Sequence, residues 1–197
     1  PRGDFAVDAA GAIRLDRTAD PTLLAMACVS AGGGERLPRR GKLDRLAARI
    51  AEGVDFTATL AGARIEAGQA LAVFRDGGRI LSGEIPLPAG QPMVWDGRFE
   101  ILSDRPGCVV RPLGGIISRL DQRSRSALRA LAPQARRALP ALVEADGTVT
   151  CPVLAQSAWS AARSLVSDRL EAACGRIARE LAPTSGSHGE RGSGALS

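Results

Sequence analysis

The sequence predicts an α+β fold: short helices followed by a small antiparallel sheet, then an Arg-rich helical segment and a long C-terminal helix. Three observations predict it. Apolar residues recur at helical spacing across residues 20–52, the period shortens between residues 56 and 112, and helical spacing returns after residue 118.

Residues 4–16 alternate loosely and read as extended chain. Asp20-Pro21 is a helix start, with Asp as N-cap and Pro in the first turn. Leu23, Leu24, Ala27 and Cys28 follow on one face, and Gly32-Gly33-Gly34 stops the helix. A second helix is expected over 39–52, with Leu43, Leu46, Ala47 and Ile50 recurring at three and four and Gly53 at its stop. Short β-leaning pieces come next: 56–60, 63–65, 71–74 and 79–81, with Asp76-Gly77-Gly78 as a hairpin turn. Met93 opens another, holding Trp95-Asp96-Gly97-Arg98-Phe99, and 108–112 adds one more. Residues 118–138 are expected to be helical and Arg-rich, 139–143 and 149–153 to pair as a small hairpin, and 158–181 to form the last helix. The organisation reads as a linker over 1–19, a helix-plus-sheet domain over 20–115, a small helical and hairpin domain over 116–182, and a disordered Ser/Gly tail over 183–197.

Composition narrows the function classes. The 197 residues are 45% apolar but only 3% aromatic, so the core is built from Leu, Val, Ile and Ala. Net charge is +5, which favours a polyanionic partner. Lys42 is the only lysine among 26 basic residues, and arginine is spread throughout, the mark of GC-rich codon usage. Cys28, Cys108, Cys151 and Cys174 are far apart with no CxxC pair, and His188, the one histidine, sits in the tail. A structural zinc site is therefore not expected, and unpaired thiols fit a reducing cytoplasm. No signal peptide and no apolar run of membrane-spanning length is present. The chain opens on Pro1 rather than Met, which leaves cleavage or a longer gene product open.

Enzyme signatures are missing: there is no GxGxxG, P-loop, GxSxG or HExxH, so no complete active site is expected. Gly32-Gly33-Gly34 lacks the Lys and Ser/Thr of a phosphate cradle and reads as helix termination. The sharpest signal is basic: Arg36, Arg39, Arg40, Lys42, Arg45 and Arg49, starting in a Gly/Pro loop and continuing along one helix. Such a row can follow a phosphate backbone. It can equally be a solvated face with ion pairs to Asp44 and Glu52. No aromatic is interleaved, so stem phosphates fit better than stacked bases.

Four stretches, in order, resemble the carboxy-terminal region of alphaproteobacterial tRNA(Ile)-lysidine synthetases. They are Gly32-Gly33-Gly34-Glu35-Arg36-Leu37-Pro38-Arg39, Thr59-Leu60-Ala61-Gly62-Ala63-Arg64-Ile65, Val94-Trp95-Asp96-Gly97-Arg98-Phe99, and Leu139-Pro140-Ala141-Leu142 with Asp146-Gly147. Arg36 and Leu37 stand where the family tends to have Tyr and Pro, Ala61 and Ala63 where it has Gly and Cys, and Val143 where it has Trp.

The resemblance implies an ATP-dependent C–N ligase that joins lysine to C2 of the wobble cytidine of a minor isoleucine tRNA. It also implies that ATP and Mg2+ are held by an amino-terminal PP-loop domain marked by Ser-Gly-Gly-x-Asp-Ser, a motif this sequence lacks. No catalytic residue carries over, this piece alone is expected to be inactive, and residues 20–115 become the tRNA-binding domain. Arg36, Arg39, Arg40, Lys42, Arg45 and Arg49 are then the expected contacts, positioning the RNA rather than reading its sequence. The competing expectation is a standalone assembly module that docks through the apolar stripe of the 158–181 helix. Trp95 is expected in the core, Asp96-Gly97 as a turn, and Arg98 paired nearby.

Overall fold

Asp8 organises the first turn. In the computed structural model, which describes residues 4–79, 83–155 and 157–175, its Oδ1 accepts from the amides of Ala10 and Ala12, at 2.9 Å each. This joins β1 (Phe5–Val7) to β2 (Ile13–Leu15), so the opening segment is a hairpin. Helix α1 (Pro21–Gly32) starts as the sequence dictates, with Asp20 Oδ1 accepting from Thr22 N at 2.6 Å. It ends on Gly33 at φ 68°, where the Gly33 and Gly34 amides donate back to Ser30 and Val29.

The sequence shows one apolar face on α1; the structure buries Ala25, Ser30 and Ala31 as well, and a helix covered on most sides is a central one. Helix α2 (Arg40–Ala51) lies outside it and fully buries only Leu46 and Ile50. Strands β3 (Phe56–Leu60), β4 (Ala63–Ala67) and β5 (Leu71–Arg75) form a meander, and the five-stranded antiparallel sheet has the order β1-β2-β5-β4-β3. Ile13, Ile65 and Val73 lie side by side in that sheet and pack in one core with Leu23, Leu24 and Cys28 of α1.

A second core follows. It is framed by β6 (Ile85–Pro86), β7 (Met93–Trp95), β8 (Phe99–Ser103), β9 (Val109–Pro112), β10 (Pro140–Val143), β11 (Val149–Thr150) and β12 (Ser160–Ser164). The sheets are β11-β10-β9-β6 and β12-β8-β7, around Trp95, Phe99, Ile101, Leu113 and Leu142. Phe74 of the first sheet and Ala12 of its β1–β2 turn also belong to this core, so the two cores share a wall.

Three expectations change. The 118–138 segment is a 3-10 turn at Ile117–Arg119, then α3 (Gln122–Arg129) and α4 (Pro133–Arg136). Asp121 starts α3 afresh by accepting from Ser124 N at 2.8 Å, and Pro133 cannot continue it. The long helix over 158–181 is not formed as expected. Residues Ser160–Ser164 are β12, because β8 offers an edge and Ala162 pairs with Ile101; strand pairing overrides alanine's helix preference. Helix α5 is only Val166–Ala173, and 176–181 lies outside the described residues, as does the 183–197 tail. Third, Asp76-Gly77-Gly78 leads into a 3-10 turn at Gly77–Arg79, and the partner strand expected through 81 reaches residues outside those described.

Burial also controls the thiols. It pushes Cys28 up to about 12 and Cys151 to about 11, and it raises Cys108, whereas Cys174 is only partly buried. At pH 8, a thiol reagent should label Cys174 first and reach the other three only on unfolding. A folded thiol that keeps its proton longer than the unfolded one costs stability as pH climbs from 9.0 toward about 12 for Cys28. Equal labelling of all four in the native protein would contradict this burial.

Candidate nucleic-acid interface

Helical phase decides which cations of α2 act together. Leu46 and Ile50 face the core with Leu43 partly buried beside them, so Arg39, Lys42, Arg45 and Arg49, spaced by three or four, share an edge of the helix. Two adjoining hollows lie along that edge. One, about 520 Å³, is lined by Arg36, Leu37, Arg39 and Lys42 from the α1–α2 connection and helix start, and by residues 59–62 and Asp76 opposite. The other, about 300 Å³, is lined by Lys42, Arg45 and Arg49 against residues 58–60. Lys42, Thr59 and Leu60 border both, making one groove between α2 and the β3–β4 hairpin.

All six sequence-expected cations are exposed, and five line the groove. Arg40 does not; it points along the open side of the helix, 4.0 Å from Asp44, with both side chains well exposed. Such a pair contributes about 0–1 kcal/mol. Among the described residues no carboxylate lies within ion-pair distance of the other five. Arg45 Nε donates to Gly41 O at 3.0 Å, and the Arg49 guanidinium sits 4.2 Å over the Phe56 ring. The helix opens on Arg39 and Arg40 with no side-chain cap and no acid in its first turn, an arrangement its dipole disfavours by about 0.3–1 kcal/mol per charge. An anion in the groove removes that cost.

Sequence reasoning passed over Arg17. It reaches across to the far end of α2, donating to Ile50 O at 3.3 Å, Val54 O at 2.8 Å and Gly68 O at 2.7 Å. It thus satisfies a terminal helix carbonyl with positive charge and fixes the helix that carries the cations. A lone arginine between two elements carries no local signal of that role.

Beneath the groove, three turns touch. A Cβ on Gly32 would lie 2.3 Å from Ala61 O, and one on Gly33 would lie 2.0 Å from Asp96 O, so only glycine lets these backbones meet. Asp96, turned to φ 51°, is buried between two arginines. Arg75 grips it with both prongs at 2.9 and 2.7 Å, and Arg98 Nε donates at 2.9 Å. Arg75 also donates to Gly62 O at 3.0 Å, Arg98 to Ala138 O, and Arg169 to both Gly97 O and Gly34 O. Burial pushes the Arg98 guanidinium down to about 10, against the pull of Asp96. Three of the four sequence stretches that carry the resemblance therefore meet around one carboxylate, and Arg98 ties in Ala138, next to the fourth. Trp95 is buried beside Phe99, and Arg98 is paired two residues from its partner.

The β3–β4 turn has positive φ at both central residues, 50° at Ala61 and 81° at Gly62. An L side chain in this region costs about 1–2 kcal/mol, partly offset in the glycine form by chain entropy. Ala61→Gly should stabilise the protein by about 0.5–1 kcal/mol, a rise in Tm of about 2 °C. A lower Tm in calorimetry would show the alanine is not strained.

Among the described residues no group of three or more His, Cys, Asp or Glu could hold a metal ion, and no helix is long and apolar enough to cross a membrane. No family model and no solved structure matches the chain. A curated relative does. The chain is 42% identical over 189 residues to a tRNA(Ile)-lysidine synthase of Caulobacter vibrioides, an alignment covering 91% of this chain and 46% of that protein. Over that 91% the chain is similar to that tRNA(Ile)-lysidine synthase, and it spans about half the length of the protein it matches.

Proposed function

We propose that this chain is the tRNA-gripping, carboxy-terminal part of a ligase that joins lysine to the wobble cytidine of an isoleucine tRNA. The observation that carries the reading is the groove: five exposed cations without carboxylate partners among the described residues, four on one edge of a helix and Arg36 in the loop before it. Cations so arranged neutralise successive phosphates without reading bases. The identity to the Caulobacter enzyme supplies the RNA. On this reading ATP and Mg2+ are bound by an amino-terminal domain of the whole enzyme, in the cytoplasm, and the residues here position the substrate for chemistry performed there. This chain alone is then inactive.

The competing reading, a standalone module docking through the last helix, needs a free apolar face. Val166 and Leu170 of α5 are instead buried in the first core, against the chain's own elements, which favours the groove. The test is filter binding of unmodified isoleucine tRNA while salt is varied. Binding that is firm in dilute buffer and falls steeply with salt supports the proposal; indifference to tRNA at low salt overturns it.

A further inference from the structure

We infer that Asp76 makes the groove select ribose, by accepting a hydrogen bond from a backbone 2′-hydroxyl. The inference rests on the groove reading and adds to it the sugar that the groove requires. Asp76 lies at the end of β5, half-buried, on the wall facing Arg36, Arg39 and Lys42. Two contacts hold it there. Its amide donates to Gly62 O at 2.9 Å, tying it to the β3–β4 turn, and its Oδ1 accepts from Gly78 N at 3.1 Å. Among the described residues no cation comes within ion-pair distance of it.

A fixed carboxylate in a phosphate groove has a cost, since it repels the phosphates its neighbours attract. The Gly78 amide already serves Oδ1, and a ligand donor at this wall offsets the remaining cost, because an ionised carboxylate accepts and cannot donate. A sugar–phosphate backbone offers acceptors almost everywhere. Its one donor is the 2′-hydroxyl, present in RNA and absent from DNA. With Arg36, Arg39 and Lys42 holding phosphates across the groove, a ribose between them presents that hydroxyl to Asp76. The exposed Thr59 hydroxyl on the same wall can donate to or accept from the same sugar.

The experiment compares two ligands on three proteins. The ligands are an isoleucine tRNA transcript and the same transcript with 2′-fluoro in place of 2′-hydroxyl, which keeps A-form geometry and removes the donor. The proteins are wild type, Asp76→Asn and Asp76→Ala, with circular dichroism as the check on folding; Asn keeps an oxygen for the Gly78 amide. Wild type should prefer the hydroxyl transcript by about tenfold. Asp76→Ala should bring the ratio to about one without weakening binding of the fluoro transcript, and Asp76→Asn should fall between. Equal binding of both transcripts by wild type overturns the inference, as does a preference that survives in both variants. If wild type binds neither transcript, the groove reading falls, and this one with it.

Discussion

Replacing Arg39, Lys42 and Arg45 together by glutamate should abolish binding of isoleucine tRNA while leaving the fold intact. The three side chains are exposed and on one edge of α2, and none supports the core, which that helix reaches through Leu46 and Ile50. If all five groove cations meet phosphates, the logarithm of the binding constant should fall with the logarithm of salt at a slope of about −4 to −5. Binding would then weaken roughly 500-fold between 50 and 200 mM salt. Each single change to alanine should lessen the slope by about one. Arg40→Glu is the control: its side chain lies against Asp44, off the groove, so affinity and slope should hardly move. A triple variant that binds as wild type does would remove the groove from the mechanism.

The second large effect concerns stability. Asp96→Ala should cost about 3–5 kcal/mol, lowering Tm on the order of 10 °C, because it leaves Arg75 and Arg98 charged in the interior without their shared anion. The loss reaches beyond one residue, since those arginines also hold Gly62 O and Ala138 O. A double-mutant cycle separates orphaned charge from lost packing. In the Asp96→Ala background, Arg98→Met should cost much less than it does alone. Additive costs in urea denaturation would show that the carboxylate and the guanidinium are not coupled.

What could be read from the residues was local. Helix α1 announced itself through Asp20-Pro21 at one end and Gly33 at the other, and the structure uses both for the reasons that made them visible. The cation row was equally plain, but not its geometry. Arg40 follows Arg39 by one residue, about a hundred degrees around a helix, and that step carries it off the groove. Arg75 was invisible because its partner lies 21 residues away in the β7–β8 turn, and nothing near it in sequence marks an ion pair. Asp76 was hidden for a similar reason: its place on the groove wall depends on how β5 packs beside the β3–β4 turn. The last helix was misjudged because alanine-rich chain suits a helix in isolation, and only the waiting edge of β8 makes residues 160–164 extended.

The placement of α5 bears on how this polypeptide matures on the ribosome. The five-stranded sheet is sealed by Val166 and Leu170, which leave the exit tunnel only after the strands of the second core have been translated. Until then the nascent chain carries an open greasy seam between the five-stranded sheet and α1. Synthesis must reach α5 before that sheet is covered.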